Sequence, residues 1–300
     1  MKNHQLKGSL ALLLATVIWG STFVAQSVGV EQIGPMTFLA VRGYLALLAL
    51  LPVVYFRDRK NFAAKMKDPK LWKAGLLSGV ALFVATALQQ VGLMYTTAGK
   101  GGFITAMYII LVPIFGLFLG KKPPVRVFIS VGVAAVGLYL LSGAGASSIN
   151  IGDVLMLLCA VAFSMQILIL DRVAGELDSV ALNMAQSLIC AMVATIFMFT
   201  EDNTLPQIID CWLPLCYAGV LSMGVAYTLQ IVGQKALEPT TASLMMSFES
   251  VFAALSGWLI LHETLSATEA AGCVLVFGAI IFSQIPLKSR KSSVIHKKVK

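Results

Sequence analysis

Ten stretches of about twenty mostly apolar residues follow one another along this chain of 300 residues. A stretch of that length is what a helix needs to cross the hydrocarbon core of a bilayer. Because backbone polar groups find no water there, each span is predicted to be helical. We therefore expect an all-α integral membrane protein with ten transmembrane helices. The predicted spans are residues 8–28, 35–56, 71–94, 99–119, 125–143, 151–170, 179–199, 211–234, 240–262 and 267–285.

The composition excludes a soluble globular domain. Hydrophobic residues make up 58% of the chain and charged residues only 12%, whereas soluble domains average about 25% charged residues. The five cysteines lie within or at the ends of apolar stretches without C-x-x-C or metal-ligand spacing, so we interpret them as small apolar residues. The sequence implies neither a metal nor a cofactor. The cysteines are Cys159, Cys190, Cys211, Cys216 and Cys273.

The positions of the basic residues predict the orientation. With both termini in the cytoplasm, all Lys and Arg except Lys100 and Arg42 fall in inner segments, including the cluster from Arg57 to Lys73. The positive-inside rule predicts this orientation in the cytoplasmic (inner) membrane. The net charge of +8 is thereby explained without nucleic acid, and the basic tail is expected to set topology and contact anionic lipid.

The second five predicted spans repeat motifs of the first five in the same order. Leu88-Gln89-x-Val91-Gly92 returns as Leu229-Gln230-x-Val232-Gly233, and Ala74-Gly75-Leu76-Leu77-Ser78 returns as Ala218-Gly219-Val220-Leu221-Ser222. A unit with an odd number of crossings lies upside down relative to its copy, an arrangement common in carriers whose central site opens to either side. We predict two inverted five-helix repeats, residues 1–147 and 148–287, and a basic cytoplasmic tail, residues 288–300.

The order of several motifs resembles that of the drug/metabolite transporter superfamily, specifically proteins with two EamA-type domains, from about residue 8 to 285. Known members move small metabolites, including amino acids, across the inner membrane, so the resemblance implies this class of function. Ser250 stands where the family often has proline, which removes the sequence basis for a kink there. The residues that carry the resemblance are Trp19-Gly20-Ser21-Thr22-Phe23, Arg42, Gln89-x-x-Gly92-x-x-Tyr95-Thr96-x-Ala98, Glu249-Ser250-Val251-Phe252-Ala253-Ala254-Leu255 and Glu263.

Two charged residues within predicted spans are the first candidates for a site. Glu249 is the only acid deep in a span, where a carboxylate costs roughly 2.5–3.5 kcal/mol. It is either a proton-coupling or substrate-amine site, or a structural hydrogen bond between two helices. Arg42 lies roughly 10 Å deep at 1.5 Å per residue. It either holds a substrate carboxylate through its planar fork of donors, or it pairs with Glu249, caps backbone carbonyls or extends toward the interface.

Amide and aromatic side chains supply the remaining candidates. Amides in membrane helices either line a cavity or connect helices through hydrogen bonds worth roughly 0.6 kcal/mol each. Aromatic residues either stack on a planar substrate, or pack in the core or face lipid. The amides are Gln26, Gln89, Gln90, Gln166, Gln186 and Gln230, and the aromatic candidates are Trp19, Phe23, Tyr108, Tyr227 and Phe248.

Two further features concern the fourth span. Gly99-x-Gly101-Gly102 beside Lys100 weakly resembles an anion cradle, but the sequence favours close helix packing as its purpose. Pro113 removes one backbone hydrogen bond in mid-span and is predicted to kink the helix.

The function predicted from these observations is secondary transport of a small amino acid-like or drug-like metabolite by alternating access. The resemblance favours an exporter, and Glu249 could couple transport to protons. The alternative is a flippase, or flippase subunit, for a lipid-linked substrate. The sequence contains no catalytic constellation at membrane depth, so we do not expect an enzyme. The fifth and tenth spans carry few polar residues, which fits a lipid-facing role or a contact in a homodimer.

Overall fold

The protein is a bundle of long apolar helices. The computed structural model describes residues 2–141, 150–260, 262 and 266–284, so the predicted basic tail and Glu263 lie outside the described residues. Within these ranges no strand is present. The helices are α1 (Lys2–Gln32), α2 (Pro35–Arg57), α3 (Phe62–Lys67), α4 (Pro69–Gly92), α5 (Ala98–Thr105), α6 (Tyr108–Phe118), α7 (Val125–Leu141), α8 (Ile151–Val173), α9 (Ser179–Met198), α10 (Leu205–Asp210), α11 (Trp212–Cys216), α12 (Tyr227–Gln234), α13 (Pro239–Met246), α14 (Phe248–Ile260) and α15 (Ala267–Gln284), with a π-helical stretch (Tyr217–Ala226) between α11 and α12.

Eight helical segments in the described residues are long and apolar enough to cross a membrane. They are α1, α2, α4, α5 with α6, α8, α9, α11 through α12, and α13 with α14, and each coincides with a predicted span. The fifth and tenth predicted spans correspond to α7 and α15, which are apolar but shorter in their described apolar parts. The prediction of an all-helical membrane protein is confirmed, and eight of the ten predicted crossings have the required length.

The contacts between helices are similar in the two halves of the chain, residues 2–141 and 150–284. Helix α1 packs against α12, the π-helical stretch and α14, and α8 packs in the same way against α4, α5 and α6. Helix α2 contacts the π-helical stretch as α9 contacts α4, while α2 and α9 pack along each other and α7 packs along α15. Exchanging the halves therefore maps each of these contacts onto another, which fits the predicted two-repeat architecture.

The repeated Ala-Gly-x-Leu-Ser motif marks one such pair of equivalent contacts. A Cβ atom on Gly75 would lie 2.6 Å from the Cβ of Ala185 on α9, and one on Gly219 would lie 2.8 Å from the backbone oxygen of Arg42 on α2. Real Cβ contacts are essentially never below 3.0 Å. Each glycine thus permits close approach of two helices, as small residues commonly do in membrane bundles.

Two apolar segments are interrupted near their middle. Ala106 and Met107 separate α5 from α6, and Ser247 separates α13 from α14. The first break lies more than one turn before Pro113, which is inside α6. At the second break the Ser250 hydroxyl donates to the Ser247 carbonyl at 2.7 Å, and such back-bonding bends helices without proline.

Polar contacts join α2 and α9 at both ends. The Glu201 carboxylate, just after α9, accepts hydrogen bonds from the backbone nitrogens of Met36 and Thr37, both at 2.8 Å. At the other end, Asp178 accepts from two backbone nitrogens in the first turn of α9 and lies 4.0 Å from Nη1 of Arg57, the last residue of α2. These carboxylates satisfy helix N-terminal donors and favour the positive end of each helix dipole.

We predict that Gly20→Ala destabilises the protein, because a Cβ there would lie 2.6 Å from the backbone carbonyl carbon of Phe252 on α14. Overpacking of this kind typically costs about 1–3 kcal/mol, which should lower the thermal unfolding midpoint of the detergent-purified protein. Gly132→Ala on α7 is the matched control, since nothing lies within 4 Å of its Cβ position. Equal midpoints for the two variants would contradict the assigned α1–α14 contact.

Candidate functional site

A narrow cavity with a volume of about 30 Å³ lies between helices of both halves. This volume is roughly that of one or two water molecules, well below the roughly 300–1,000 Å³ of open small-molecule sites. Nine of the thirteen charged, amide and aromatic candidates predicted from the sequence line it together. They are Trp19, Phe23 and Gln26 of α1, Arg42 of α2, Gln89 of α4, Tyr108 of α6, Tyr227 and Gln230 of α12, and Glu249 of α14.

Arg42 is buried, with 3% of its surface exposed. Its Nη1 donates a 2.7 Å hydrogen bond to Gln26 Oε1, and its guanidinium carbon lies 5.8 Å from the centroid of the Phe38 ring. Its Nε has no hydrogen-bond partner, and no carboxylate forms an ion pair with it among the described residues. Arg42 therefore retains unused donor capacity at the cavity wall.

Glu249 lies in the first turn of α14, directly after the break at Ser247, and is 5% exposed. Glu249 and Tyr108 both line the cavity, and Glu249 Oε1 and the Tyr108 hydroxyl are buried without a hydrogen-bond partner within the described part of the chain. The alternative that Arg42 pairs with Glu249 is not realised, because the described residues contain no ion pair of either side chain.

Two aromatic rings form one wall of the cavity. Trp19 and Tyr227 pack edge to face, with their ring centroids 5.0 Å apart. The Trp19 Nε1–H has no hydrogen-bond partner in the described structure. Aromatic faces combined with a few convergent polar groups are typical of small-molecule sites.

The profile of the EamA-like transporter family matches residues 6–143 and 150–284. The chain belongs to the EamA-like transporter family. It is therefore a multi-pass membrane protein of a transporter family rather than an enzyme, which confirms the resemblance seen in the sequence.

Individual relatives agree with this membership. An uncharacterized transporter of Archaeoglobus fulgidus is 32% identical over 92% of this chain and 85% of its own length. The threonine/homoserine exporter RhtA of Escherichia coli is 26% identical over 95% of this chain and 93% of its own length. A crystal structure with 18% sequence identity has a TM-score of 0.71 and covers 90% of this chain and 96% of that chain, which shows a shared fold.

Further amides surround the cavity of this EamA-like transporter. Gln230 Nε2 donates to Gln166 Oε1 at 3.1 Å, so these two amides connect α12 and α8. Gln89 Nε2 makes a long contact of 3.4 Å with the Thr105 hydroxyl. Gln230 Oε1 and Gln166 Nε2 lack partners among the described residues. The amides thus combine both roles considered from the sequence: they connect helices and leave polar atoms for a ligand or water.

Four sequence candidates are not part of the cavity lining: Gln90, Gln166, Gln186 and Phe248. Gln186 is fully buried on α9 and donates to Asn183 Oδ1 at 2.9 Å. Gln90 makes a long contact of 3.4 Å with the Gln26 carbonyl, and Phe248 contacts the rings of Phe252 and Phe277. Glu249, the next residue after Phe248, faces the cavity instead, because one residue along a helix turns the side chain by about 100°.

Asn183 is a buried polar residue beside the cavity segment that the sequence did not single out. Its Nδ2 lies 2.9 Å from the Met223 carbonyl, 2.8 Å from the Gly224 carbonyl and 2.9 Å from the Thr228 hydroxyl. These acceptors belong to or follow the π-helical stretch, whose wider turn leaves carbonyls without regular α-helical partners. Asn183 therefore supports the segment that carries Ser222 and Tyr227 into the cavity.

Five further residues line the cavity but were not among the candidates predicted from the sequence. Four of them are of types that are common in helix packing, and the fifth, Ser222, is small. The repeat offered a signal: Gln89 and Gln230 are 141 positions apart, and so are Thr22 and Phe163, Gln26 and Ile167, and Tyr108 and Glu249. Equivalent positions of the two halves thus line one cavity. The five are Thr22, Phe163, Ile167, Ser222 and Met246.

The described residues contain no group of three or more His, Cys, Asp or Glu placed to hold a metal.

We predict that Gln26→Leu destabilises the protein by about 1–3 kcal/mol, because it removes the acceptor of a buried, charged donor. Replacing both partners by apolar residues is often nearly neutral, so Gln26→Leu with Arg42→Met should recover most of the loss. Thermal unfolding midpoints of the wild type, both single variants and the double variant complete the cycle. A double variant less stable than Gln26→Leu would contradict the assigned dependence of Arg42 on Gln26.

Proposed function

We propose that this protein is a secondary transporter that exports a small polar metabolite, amino acid-like or drug-like, across the cytoplasmic membrane by alternating access. The observation that carries the proposal is the buried cavity, which is lined from both halves of the chain and contains Arg42 and Glu249. A site between two similar halves can open to either side if one half rocks against the other.

The proposed topology has ten crossings in two inverted five-helix repeats, with both termini in the cytoplasm. Helices α7 and α15 supply the fifth and tenth crossings in this arrangement. They pack closely, since a Cβ on Gly137 would lie 2.8 Å from the backbone oxygen of Gly272. Their lengths of 17 and 18 residues reach the lower limit for a spanning helix, about 17 residues.

The export direction and the class of cargo are supported by the similarity to RhtA, which exports threonine and homoserine. The cavity lining also favours a small polar cargo over a lipid-linked one. Arginine, glutamate and several amides face the enclosed space, whereas a flippase for a lipid-linked cargo needs room for an acyl or polyprenyl chain.

We propose Glu249 as the residue that couples transport to protons. The chain contains no GxxxxGK[ST] nucleotide-binding motif, so the driving force is assigned to an ion or substrate gradient. A carboxyl group at membrane depth without a cationic partner is a common component of proton pathways. Glu249 meets this description within the described residues, because it lines the cavity and no Lys or Arg there forms an ion pair with it.

We predict that Glu249→Gln abolishes uptake driven by a pH gradient in inverted membrane vesicles, because glutamine cannot release and rebind a proton. Equilibrium exchange of the cargo without a gradient should persist at a measurable rate. Accumulation of radiolabelled L-threonine and L-homoserine is the readout.

The matched control is Glu176→Gln, the same substitution at an exposed residue after α8. Its gradient-driven uptake should equal that of the wild type. If Glu249→Gln vesicles accumulated the cargo as the wild type does, Glu249 would have no role in coupling.

We also predict that tags at residue 1 and residue 300 are both accessible only from the cytoplasmic face. Ten crossings require this result, because an even number of crossings returns the chain to its starting side. Protease protection in right-side-out and inverted vesicles measures it. Termini on opposite faces would exclude the ten-crossing arrangement.

A further inference from the structure

A second cavity lies beside the ends of α8 and α12, and its lining includes Lys121, Asp171, Gln234, Lys235 and Glu238. We propose that it is the entrance through which the cargo reaches the central cavity, and that Gln234 closes it. This inference rests on the proposed transport function and specifies the route to the same site. The second cavity has a volume of about 350 Å³, within the range of small-molecule sites, about 300–1,000 Å³. The central cavity, at about 30 Å³, is closed to a metabolite, whereas the second cavity has room for one.

Polar and charged groups from both halves of the chain line the second cavity. Lys121 follows α6 in the first half, and Asp171, Gln234 and Lys235 come from the second half. Lys121 Nζ lies 2.7 Å from Asp171 Oδ2, and these side chains are 42% and 15% exposed. The Lys235 ammonium group donates to the Leu177 carbonyl. This lining suits a small polar solute, and a partly exposed ion pair at its edge can open at little cost.

Two helices lead from the central cavity to the second one. On α12, Gln230 lines the central cavity, and Gln234 lines the second. On α8, Ile167 lines the central cavity, and Asp171 lines the second. Residues four positions apart share one face of a helix and are separated by about 6 Å along its axis. The two cavities therefore lie end to end between the same two helices.

Side-chain hydrogen bonds between α8 and α12 separate the two cavities. Gln234 Nε2 donates to the Ile167 carbonyl at 3.1 Å. One turn earlier on α12, Gln230 Nε2 donates to Gln166 Oε1, also at 3.1 Å. Gln234 is buried, with 4% of its surface exposed. Because Ile167 lines one cavity and Gln234 the other, the Gln234 side chain crosses between the helices where the first cavity ends and the second begins.

The Gln234 amide is only partly satisfied in this closed arrangement. Its Oε1 is buried and has no hydrogen-bond partner among the described residues. A buried acceptor without a partner is unfavourable, because it has lost its water without a replacement. Water or a donor group of a solute that enters from the second cavity can bind this oxygen. Gln234 is thus suited both to hold the two helices together and to respond to an entering solute.

The two ends of α8 differ in how closely they are packed. In its first turn, a Cβ on Gly152 would lie 2.8 Å from the Cβ of Tyr95, whereas just beyond its other end nothing lies within 4 Å of a Cβ on Gly175. Near this second end are Arg172 and Lys235, which the positive-inside rule assigns to the cytoplasm. The entrance therefore opens on the cytoplasmic face in the proposed topology, where an exporter takes up its cargo.

The first experiment measures access to the central cavity in the full-length protein. Ser222→Cys places a thiol on the wall of that cavity, and the impermeant reagent 2-sulfonatoethyl methanethiosulfonate is added to inverted or right-side-out vesicles. Tandem mass spectrometry distinguishes this thiol from the five native cysteines. Adding Gln234→Ala should raise the rate of modification in inverted vesicles about 10-fold, the order of one lost buried hydrogen bond. It should not raise the rate in right-side-out vesicles, because the other end of α8 is unchanged.

Gln186→Ala in the same Ser222→Cys protein is the matched control. Gln186 is also buried, donates one hydrogen bond from Nε2 and has an Oε1 without a partner in the described structure. It lies on α9 and lines neither cavity, so its rates should equal those of Ser222→Cys alone. No increase with Gln234→Ala, an equal increase from both faces, or an equal increase with Gln186→Ala would each overturn the proposed entrance.

The second experiment leaves Gln234 in place. Glu238 is exposed and lines the second cavity, so a biotin–polyethylene glycol maleimide attached to Glu238→Cys should obstruct it. We expect this treatment to abolish most gradient-driven uptake of L-threonine and L-homoserine by inverted vesicles, relative to wild type treated in the same way. Glu176→Cys, also exposed but outside the second cavity, should retain its uptake. Equal uptake by the two treated variants would contradict this route.

The two experiments distinguish this inference from the proposed function, because modification of the Ser222→Cys thiol requires no cargo. If Gln234→Ala opens the central cavity to the cytoplasmic face but wild-type vesicles accumulate no metabolite, the entrance stands and the transport function fails. If the vesicles accumulate cargo but Gln234→Ala and the maleimide have no effect, the transport function stands with another route, and the entrance is overturned.

Discussion

The absence of water from the hydrocarbon core is the constraint on which this structure depends. Every backbone group there needs a partner inside the protein, so each departure from regular α-helix must be repaired locally. Serine hydroxyls bond to carbonyls around Ser247, and Asn183 supports the π-helical stretch. Irregular backbone at membrane depth is tolerated where it lines a cavity. The residues brought to the cavity by these irregular segments, Ser222, Tyr227 and Glu249, are thus consequences of the same constraint.

The sequence predicted the helices well, because a bilayer imposes one length and one hydrophobic pattern on every span. It also predicted most of the polar residues of the cavity, since an amide or a charge inside an apolar span needs a specific reason to be there. It did not predict the breaks. The break between α5 and α6 lies more than one turn before Pro113, and Ser250 gave no signal for the break at Ser247, because hydroxyl back-bonding depends on rotamers. Asn183 was missed for a related reason: its contacts with the π-helical stretch depend on how α9 is rotated.

Duplication explains why one cavity receives equivalent positions from both halves, whereas divergence explains its chemistry. Gln26 and Ile167 are equivalent in sequence spacing, as are Tyr108 and Glu249, yet each pair combines different side chains. The polar partner of Arg42 therefore comes from one half and the acid from the other. A symmetrical cavity would present the same groups twice and could not distinguish the two ends of a ligand. The asymmetry of the lining is the physical basis for an oriented cargo in a fold of two similar halves.

The contacts at the ends of the helices indicate which interactions can change during a rocking motion. Lys100 meets Asp153 at one end of α8 with a distance of 2.8 Å, and Lys121 meets Asp171 at the other end with 2.7 Å. Partly exposed pairs of this kind contribute about 0–1 kcal/mol, so either can open at little cost. The close helix contacts at Gly75 and Gly219 are different. Separating these helices would lose packing in the membrane core, where no water is present to form compensating contacts. A movement that opens one ion pair at a time while the glycine contacts persist would tilt α8 against α5 and α6, and would expose the cavity to one side only.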